Sequence, residues 1–297
     1  MPESIKSPAA TLITRAQDLS RMFPVWLCDV WGVVHDGRRA FDEAVDALSR
    51  HRQAGGCVVL ITNAPRPAGS VIPQMREFGV PDEAWDETVT SGDVTRELLN
   101  RWRGGNVHVI GPDEDNPLLD ELPLSFTSLE QADAVLVTGL RRDGRDGQPA
   151  EQPEDYRAEL AAIAARGLPM VCANPDRVVG VGGRLYPCAG SLADIYAGLG
   201  GEVHMAGKPY SPIYEVALAR ARNVMGRQVR KGDVVVIGDG LPTDVEGGRA
   251  NGFPVHFITG GIHAADHDGI DAPAIARGLE ANMTGLTVAG VSPGLCW

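Results

Sequence analysis

Seven short apolar runs set the strongest limit on how this chain can fold: VWLCD (25–29), CVVLIT (57–62), NVHVIG (106–111), DAVLVTG (133–139), PMVCA (169–173), DVVVIG (233–238) and PVHFIT (254–259). Each is strand-length and nearly continuous in apolar residues, so a strand formed from it needs cover on both faces. Segments of helical spacing lie between them, at about 42–54, 67–78, 92–103, 154–166, 190–199, 212–224 and 243–251. Strand and helix in alternation predict an α/β protein with a Rossmann-like, doubly wound parallel sheet. At 297 residues the chain exceeds the roughly 100–200 residues of a usual domain, which predicts two domains. The stretch GLRRDGRDGQPAEQPEDY (139–156) reads as a long polar loop, and no fixed-period repeat is present.

Polar clusters close three of these strands: Asp29, the pair Thr62 and Asn63, and GDGLPTD from Gly238 to Asp244. A fourth, GKPYSP from Gly207, immediately precedes a helical segment. In an open parallel sheet the carboxyl edge is where ligands sit, because loops and helix N-termini converge there. Taken singly, each cluster has an ordinary reading: a strand-ending Asp or a Thr-Asn pair caps turns, and a lysine is usually solvated. Their common placement is what points to a site. Three carboxylates, Asp29, Asp239 and Asp244, gathered at one edge repel one another unless a hard cation sits among them, which predicts Mg²⁺. A carboxylate can also attack phosphorus to give an acyl phosphate, making Asp29 a candidate nucleophile as well as a ligand. Lys208, the Thr62 hydroxyl and backbone N–H groups around Asn63 suit the charge of a phosphoryl group.

The formal net charge of −12 argues against a sequence-independent hold on nucleic acid or anionic membrane, which needs clustered Lys and Arg. Five cysteines at 28, 57, 172, 188 and 296, with no CxxC pair, read as reduced core residues. The N-terminus shows no secretory signal and no apolar run approaches membrane-spanning length, so a cytoplasmic protein is expected.

In order, DxxG on the first strand, ITN, GKP and GDGLPTD resemble the haloacid dehalogenase superfamily, specifically its NagD-like branch (subfamily IIA, p-nitrophenyl phosphatase-like). The stretches VVLITNAPRP, TVTSGDVTRELLNRW, CANPDRVVGVGGRLYPCAGSLADIYAGLGGEVHMAGKP and VIGDGLPTDVEGGRANGF extend the likeness over nearly the whole chain. The resemblance implies a core of residues 1–91 and 206–297 and an inserted α/β cap of the C2 type over 92–205. It implies Asp29 as nucleophile, Thr62 and Asn63 as phosphoryl binders, and Lys208 bridging nucleophile and phosphate. Asp29, Asp239, Asp244 and the backbone carbonyl of Trp31 would hold Mg²⁺. A small phosphorylated metabolite is the implied partner, and a homodimer through the cap the implied assembly. Within the cap, the resemblance of NPDRVVGVGGRLYPCAGS could place Asn174, Asp176 and Ser191 near the cleft; the ordinary reading, which is preferred, is that Asn174-Pro175-Asp176 is a turn and Ser191 the cap of the next helix.

One position departs from the family. Its phosphatases usually carry a second Asp two residues after the nucleophile, which protonates the leaving oxygen and then activates water; here the residue is Trp31. An indole has no titratable group. Losing general acid/base help costs typically ~10²–10⁴ in rate. His35 and Asp36 are the neighbouring groups that could substitute, and the other outlet is a leaving group that needs no proton, as in an aryl or acyl phosphate. The expected function is a Mg²⁺-dependent phosphatase with weakened acid/base catalysis; the alternative is a phosphometabolite-binding protein without turnover. Carbon–halogen and carbon–phosphorus cleavage fit less well: GDGLPTD keeps both metal carboxylates, and the lysines, Lys6, Lys208 and Lys231, all lie outside the cap.

Overall fold

A computed structural model describes residues 12–142, 144, 150–181, 184–261, 264, 267 and 269–297, with the side chain of Val181 excepted. The N-terminal segment and part of the expected 139–156 loop therefore lie outside the described residues.

The apolar runs form two parallel sheets. In chain order the strands are β1 (Val25–Asp29), β2 (Cys57–Thr62), β3 (Glu87–Thr90), β4 (Asn106–Ile110), β5 (Ser125–Phe126), β6 (Ala134–Val137) and β7 (Met170–Cys172). There follow β8 (Val178–Val181), β9 (Arg184–Pro187), β10 (Val203–Met205), β11 (Val234–Gly238), β12 (Val255–Ile258) and β13 (Val288–Ser292). The first sheet has six strands in the order β13-β12-β11-β1-β2-β3, all parallel. The second has five, in the order β10-β7-β6-β4-β5, also parallel. Strands β8 and β9 form a separate antiparallel hairpin.

Alternation along the strands explains the helices. Trp26, Cys28, Val58, Leu60, Val235 and Ile237 face one side of the first sheet and are buried by Leu19 of α1 (Ala16–Met22), Leu48 of α2 (Asp42–Gln53) and Met75 of α3 (Ala68–Glu77). Val25, Leu27, Val59, Ile61, Val234 and Val236 face the other side, against Val94 of α4 (Ser91–Leu99), Ile213 and Tyr214 of α7 (Ser211–Met225), and Ile275 of α9 (Ala272–Asn282). The second sheet is covered on one face by α5 (Arg157–Ala165) and α6 (Ala189–Gly198), and on the other by Leu99 and Leu118. A fully buried Val or Leu is worth about 1.5–3 kcal/mol, so these two-sided layers hold both sheets. The remaining helix, α8 (Glu246–Asn251), follows a π-type turn, Leu241–Val245, where a longer helix over 243–251 was expected.

Sequence periodicity does not predict α1, α9, β13 or the β8–β9 hairpin. Cys296 is exposed rather than in the core, a correction: it is its neighbour Leu295 that packs into the core; Cys28, Cys57, Cys172 and Cys188 are buried. Ser191 lies inside α6 and donates to the Cys188 carbonyl at 2.6 Å instead of capping the helix. Among the described residues no helix is long and apolar enough to cross a membrane.

Two histidines are built into this core uncharged. His51 stacks on Trp26 with 3.9 Å between ring centroids and meets the Ser20 hydroxyl at 2.8 Å, while His256 meets the Ser292 hydroxyl at 2.7 Å. Burial pushes both imidazoles down to about 4. An unfolded histidine titrates near 6.5, so between these values the unfolded chain takes up protons that the folded chain refuses. Their stabilising effect is complete above pH ~6.5 and is lost as pH falls towards ~4. Urea denaturation at pH 7.5 and pH 5 checks this: the stability lost on acidification shrinks in His51→Gln by about 2 kcal/mol. An unchanged loss contradicts the assignment.

Candidate active site

Strand order places the site. β1 lies between β11 and β2, so Asp29, Thr62 and the Gly238-Asp239 pair emerge from three adjacent strands at one carboxyl edge. This is where connections diverge to opposite sides of β1 and leave a crevice. Lys208 enters on the segment between β10 and α7, and the π-type turn carries Asp244 back to the same point. Such turns are rare and recur at functional positions.

The side chains converge tightly. The Lys208 ammonium donates to Asp29 Oδ1 and, at 2.8 Å, to Asp244 Oδ1. Asp29, Asp239 and Asp244 each offer a carboxylate oxygen such that all three lie within 4.8 Å of one another, and all three residues are buried. Asp244 Oδ2 also accepts from the Gly240 N–H at 3.1 Å. Burial, with Asp244 and Asp239 alongside, pushes the Asp29 carboxyl well up against the opposing pull of Lys208. Burial disfavours the Lys208 charge, but Asp244 and Asp29 outweigh it and keep the ammonium protonated.

This donor set fits a hard divalent cation, which prefers clustered carboxylate oxygens. Space around it is preserved by glycine. A Cβ on Gly32, whose φ is +79°, would come within 2.1 Å of Asp239 Oδ2, and one on Gly261 within 1.8 Å. No residue with a side chain fits there.

Thr62 and Asn63 line the same cavity, which has a volume of about 950 Å³ and opens between this edge and the second sheet. Thr62 Oγ1 accepts from the Ala64 N–H at 3.3 Å, which leaves its own hydrogen to donate. The Asn63 side chain is already engaged: Oδ1 accepts from the Lys208 N–H at 2.7 Å, and Nδ2 donates to the Lys208 carbonyl at 3.2 Å and to Asp176 Oδ1 at 2.8 Å. Sequence reasoning preferred a turn at Asp176 over a place near the cleft. The turn is there, with the Asp176 N–H donating to Asn174 Oδ1 at 3.0 Å, but the carboxylate also reaches the site. The available signal was its position just after β7, the same kind of strand end that located the other clusters.

Trp31 also lines the cavity, and its surroundings are shaped to it. Its ring meets His35 edge-on at 4.9 Å and lies over Gly37, where a Cβ would be 2.3 Å from the indole. His35 is buried between Trp31 and Phe78, its Nδ1 accepts from the Gly37 N–H at 3.1 Å, and burial holds it neutral with a value of about 4. Asp36 accepts from the Arg38 and Arg39 N–H groups, both at 2.9 Å, and the Arg39 bond above all holds its carboxyl below the usual range. The first is a packed neutral ring and the second an ionised turn cap.

Comparison with known proteins gives a consistent picture. Residues 26–124 match the family profile described as haloacid dehalogenase-like hydrolase, and residues 205–288 match one described as HAD-hydrolase-like. The crystal structure of a haloacid dehalogenase-like family hydrolase from Brucella suis 1330 is 43% identical, covering 86% of this chain and 96% of that one, with a TM-score of 0.80. Ribonucleotide monophosphatase NagD of Escherichia coli K12 is 27% identical over 246 residues, 81% of this chain and 89% of that protein. The glycerol phosphate phosphatase of Mycobacterium tuberculosis, solved in complex with magnesium, is 27% identical over 84% of this chain and 71% of that one, with a TM-score of 0.62. A structure of the same enzyme contains calcium.

Proposed function

This chain belongs to the haloacid dehalogenase-like hydrolase family, in its NagD-like branch, and from that membership we propose that it is a Mg²⁺-dependent phosphatase of small phosphorylated metabolites. The observation that carries this reading is the Lys208 ammonium spanning Asp29 and Asp244, with Asp239 within 4.8 Å, at the base of a cavity sized for a small ligand. The named activities of the Escherichia coli and mycobacterial relatives, both phosphatases, support the substrate class.

Asp29 attacks phosphorus with one carboxylate oxygen, and the bond from phosphorus to the leaving alcohol's oxygen breaks as the new O–P bond forms. That oxygen leaves with the electron pair and takes its proton from solvent water after departure, the same proton count being returned when the attacking water becomes part of the phosphate. Water then attacks the aspartyl phosphate at phosphorus, the bond to Asp29 breaks, and phosphate departs with the carboxylate restored. Lys208 neutralises charge between nucleophile and phosphoryl group, and the Thr62 hydroxyl donates to a phosphoryl oxygen. Because the Asn63 amide is occupied, its contribution to the phosphoryl group comes from backbone N–H groups at the end of β2. Asp29, Asp239, Asp244 and the Trp31 carbonyl would hold Mg²⁺, which supplies positive charge to the phosphoryl oxygens. The unit formed by residues 92–205 acts as the cap and excludes water over the site.

Trp31 moves no proton, and neither the neutral His35 nor the capped Asp36 is arranged to replace the missing acid. Turnover therefore favours leaving groups that depart unprotonated. The seating of the indole over Gly37 also favours the second reading, a binding protein without turnover. A panel of aryl, sugar and alkyl phosphates with Mg²⁺ separates the two. We expect the aryl ester to be hydrolysed at least ~10²-fold faster than the alkyl esters, the scale of a missing acid, with activity abolished by a chelator and restored by Mg²⁺. No hydrolysis of any ester sinks the phosphatase reading.

A further inference from the structure

We propose that Asp176 is a positioning residue for Lys208: acting through the Asn63 amide, it ties the loop after β7 in the second sheet to the lysine that bridges Asp29 and Asp244. The kinetic part of this inference rests on the phosphatase reading; the structural part does not.

The Asn63 side chain has one acceptor and two N–H donors. The Lys208 peptide uses the acceptor with its N–H at 2.7 Å and one donor with its carbonyl at 3.2 Å, which brackets that peptide on both sides. The amide cannot flip without setting donor against donor and acceptor against acceptor. Its third bond, 2.8 Å to Asp176 Oδ1, is the link to the second sheet, across 113 positions of sequence. Asn63 and Lys208 are both buried, so a lost partner is not simply replaced by bulk water.

Asp176 is itself held firmly. Its N–H donates to Asn174 Oδ1 at 3.0 Å and its carbonyl accepts from the Gly190 N–H at 3.0 Å. A Cβ on Gly190 would be 2.2 Å from the Pro175 carbonyl oxygen and 2.5 Å from that of Asp176, so the loop packs onto the first turn of α6 without slack. On the lysine side, a Cβ on Gly207 would come within 2.2 Å of Asn63 Oδ1 and 2.9 Å of Pro175 Cδ. Asn63, Gly207 and Pro175 thus meet in one close contact, independently of the carboxylate bond. A displacement of about 1 Å in a positioned catalytic group costs as much as ~10²-fold in rate.

The test compares Asp176→Ala and Asp176→Asn in the full chain. Asparagine keeps an oxygen that can accept from Asn63; alanine does not. In Asp176→Ala we expect hydrogen exchange at the Lys208 amide, measured without substrate, to speed up about tenfold or more. The single-turnover phosphorylation of Asp29 should slow by ~10–10²-fold with substrate affinity within about threefold. Asp176→Asn should match the wild type within about threefold in both readouts. Should alanine lower the melting temperature sharply, Asp176→Leu, which keeps the volume but has no acceptor, reads the same link, with exchange at the Lys208 amide and phosphorylation expected to change as in Asp176→Ala. Unchanged exchange in Asp176→Ala, or faster exchange with undiminished phosphorylation, overturns the proposal. So does an Asp176→Asn variant as impaired as Asp176→Ala, which would mark the carboxyl as a proton donor instead. Absence of phosphorylation in the wild type counts against the phosphatase reading, and the exchange measurement then decides this one alone.

Discussion

Asp29→Asn will reduce hydrolysis of every phosphate ester by at least ~10⁴-fold, about 5.5 kcal/mol of barrier, and will leave no phosphate on the chain. The amide is nearly isosteric with the carboxylate but is a poor nucleophile, so the loss is chemical and not architectural. Stability should confirm this. Asp29 is buried, shares the Lys208 ammonium with Asp244 and lies among three carboxylates within 4.8 Å, so removing one charge relieves repulsion while Lys208 keeps its 2.8 Å bond to Asp244. The variant's melting temperature in the absence of metal should equal or exceed that of the wild type. Residual turnover within tenfold of the wild type in a folded Asp29→Asn protein would remove Asp29 from the nucleophile's role.

Trp31→Asp is the opposite experiment, one expected to raise activity. A carboxyl two residues after the nucleophile supplies the proton transfer that the indole cannot, and kcat for an alkyl phosphate should rise by ~10², within the ~10²–10⁴ range of general acid/base catalysis. For the aryl phosphate the burst rate should gain far less, because its leaving group needs no proton, while its steady-state rate should rise with the base restored for water. The exchange has a structural cost. Trp31 is half-buried, meets His35 at 4.9 Å and rests over Gly37, so the variant should melt at a lower temperature. If the folded variant hydrolyses the alkyl ester no faster than the wild type, the cleft has been rebuilt around the indole and position 31 is not the only change.

The parts of the fold legible in the sequence are those where burial is continuous. β1 and β2 have the bounds that the runs VWLCD and CVVLIT imply, because every residue in them is buried. β9 has exposed residues at Arg184 and Leu185, and β3, ETVT, is polar in three of its four positions, so neither stands out from a loop. The site was legible for a related reason: Asp29, Thr62 and Asp239 each end an apolar run, and a parallel sheet brings such ends together. What the sequence could not supply is pairing across distance. Asn63 carries the residue type of a phosphoryl binder, but its side chain is spent on Asp176 and on the Lys208 peptide, 113 and 145 positions away. Likewise the sequence shows a missing acid at Trp31 but not that Gly37 lies beneath the ring, leaving room for it.

The most direct test of the account is rapid-quench kinetics of the wild type with Mg²⁺ and a phosphate-labelled aryl ester. The predicted result is a burst of leaving group approaching one equivalent per chain, label on the peptide containing Asp29, and a slower steady state set by hydrolysis of the aspartyl phosphate without an acid/base partner at position 31. Leaving-group release that is linear from the first turnover with no label on that peptide, or no release at all, would contradict it.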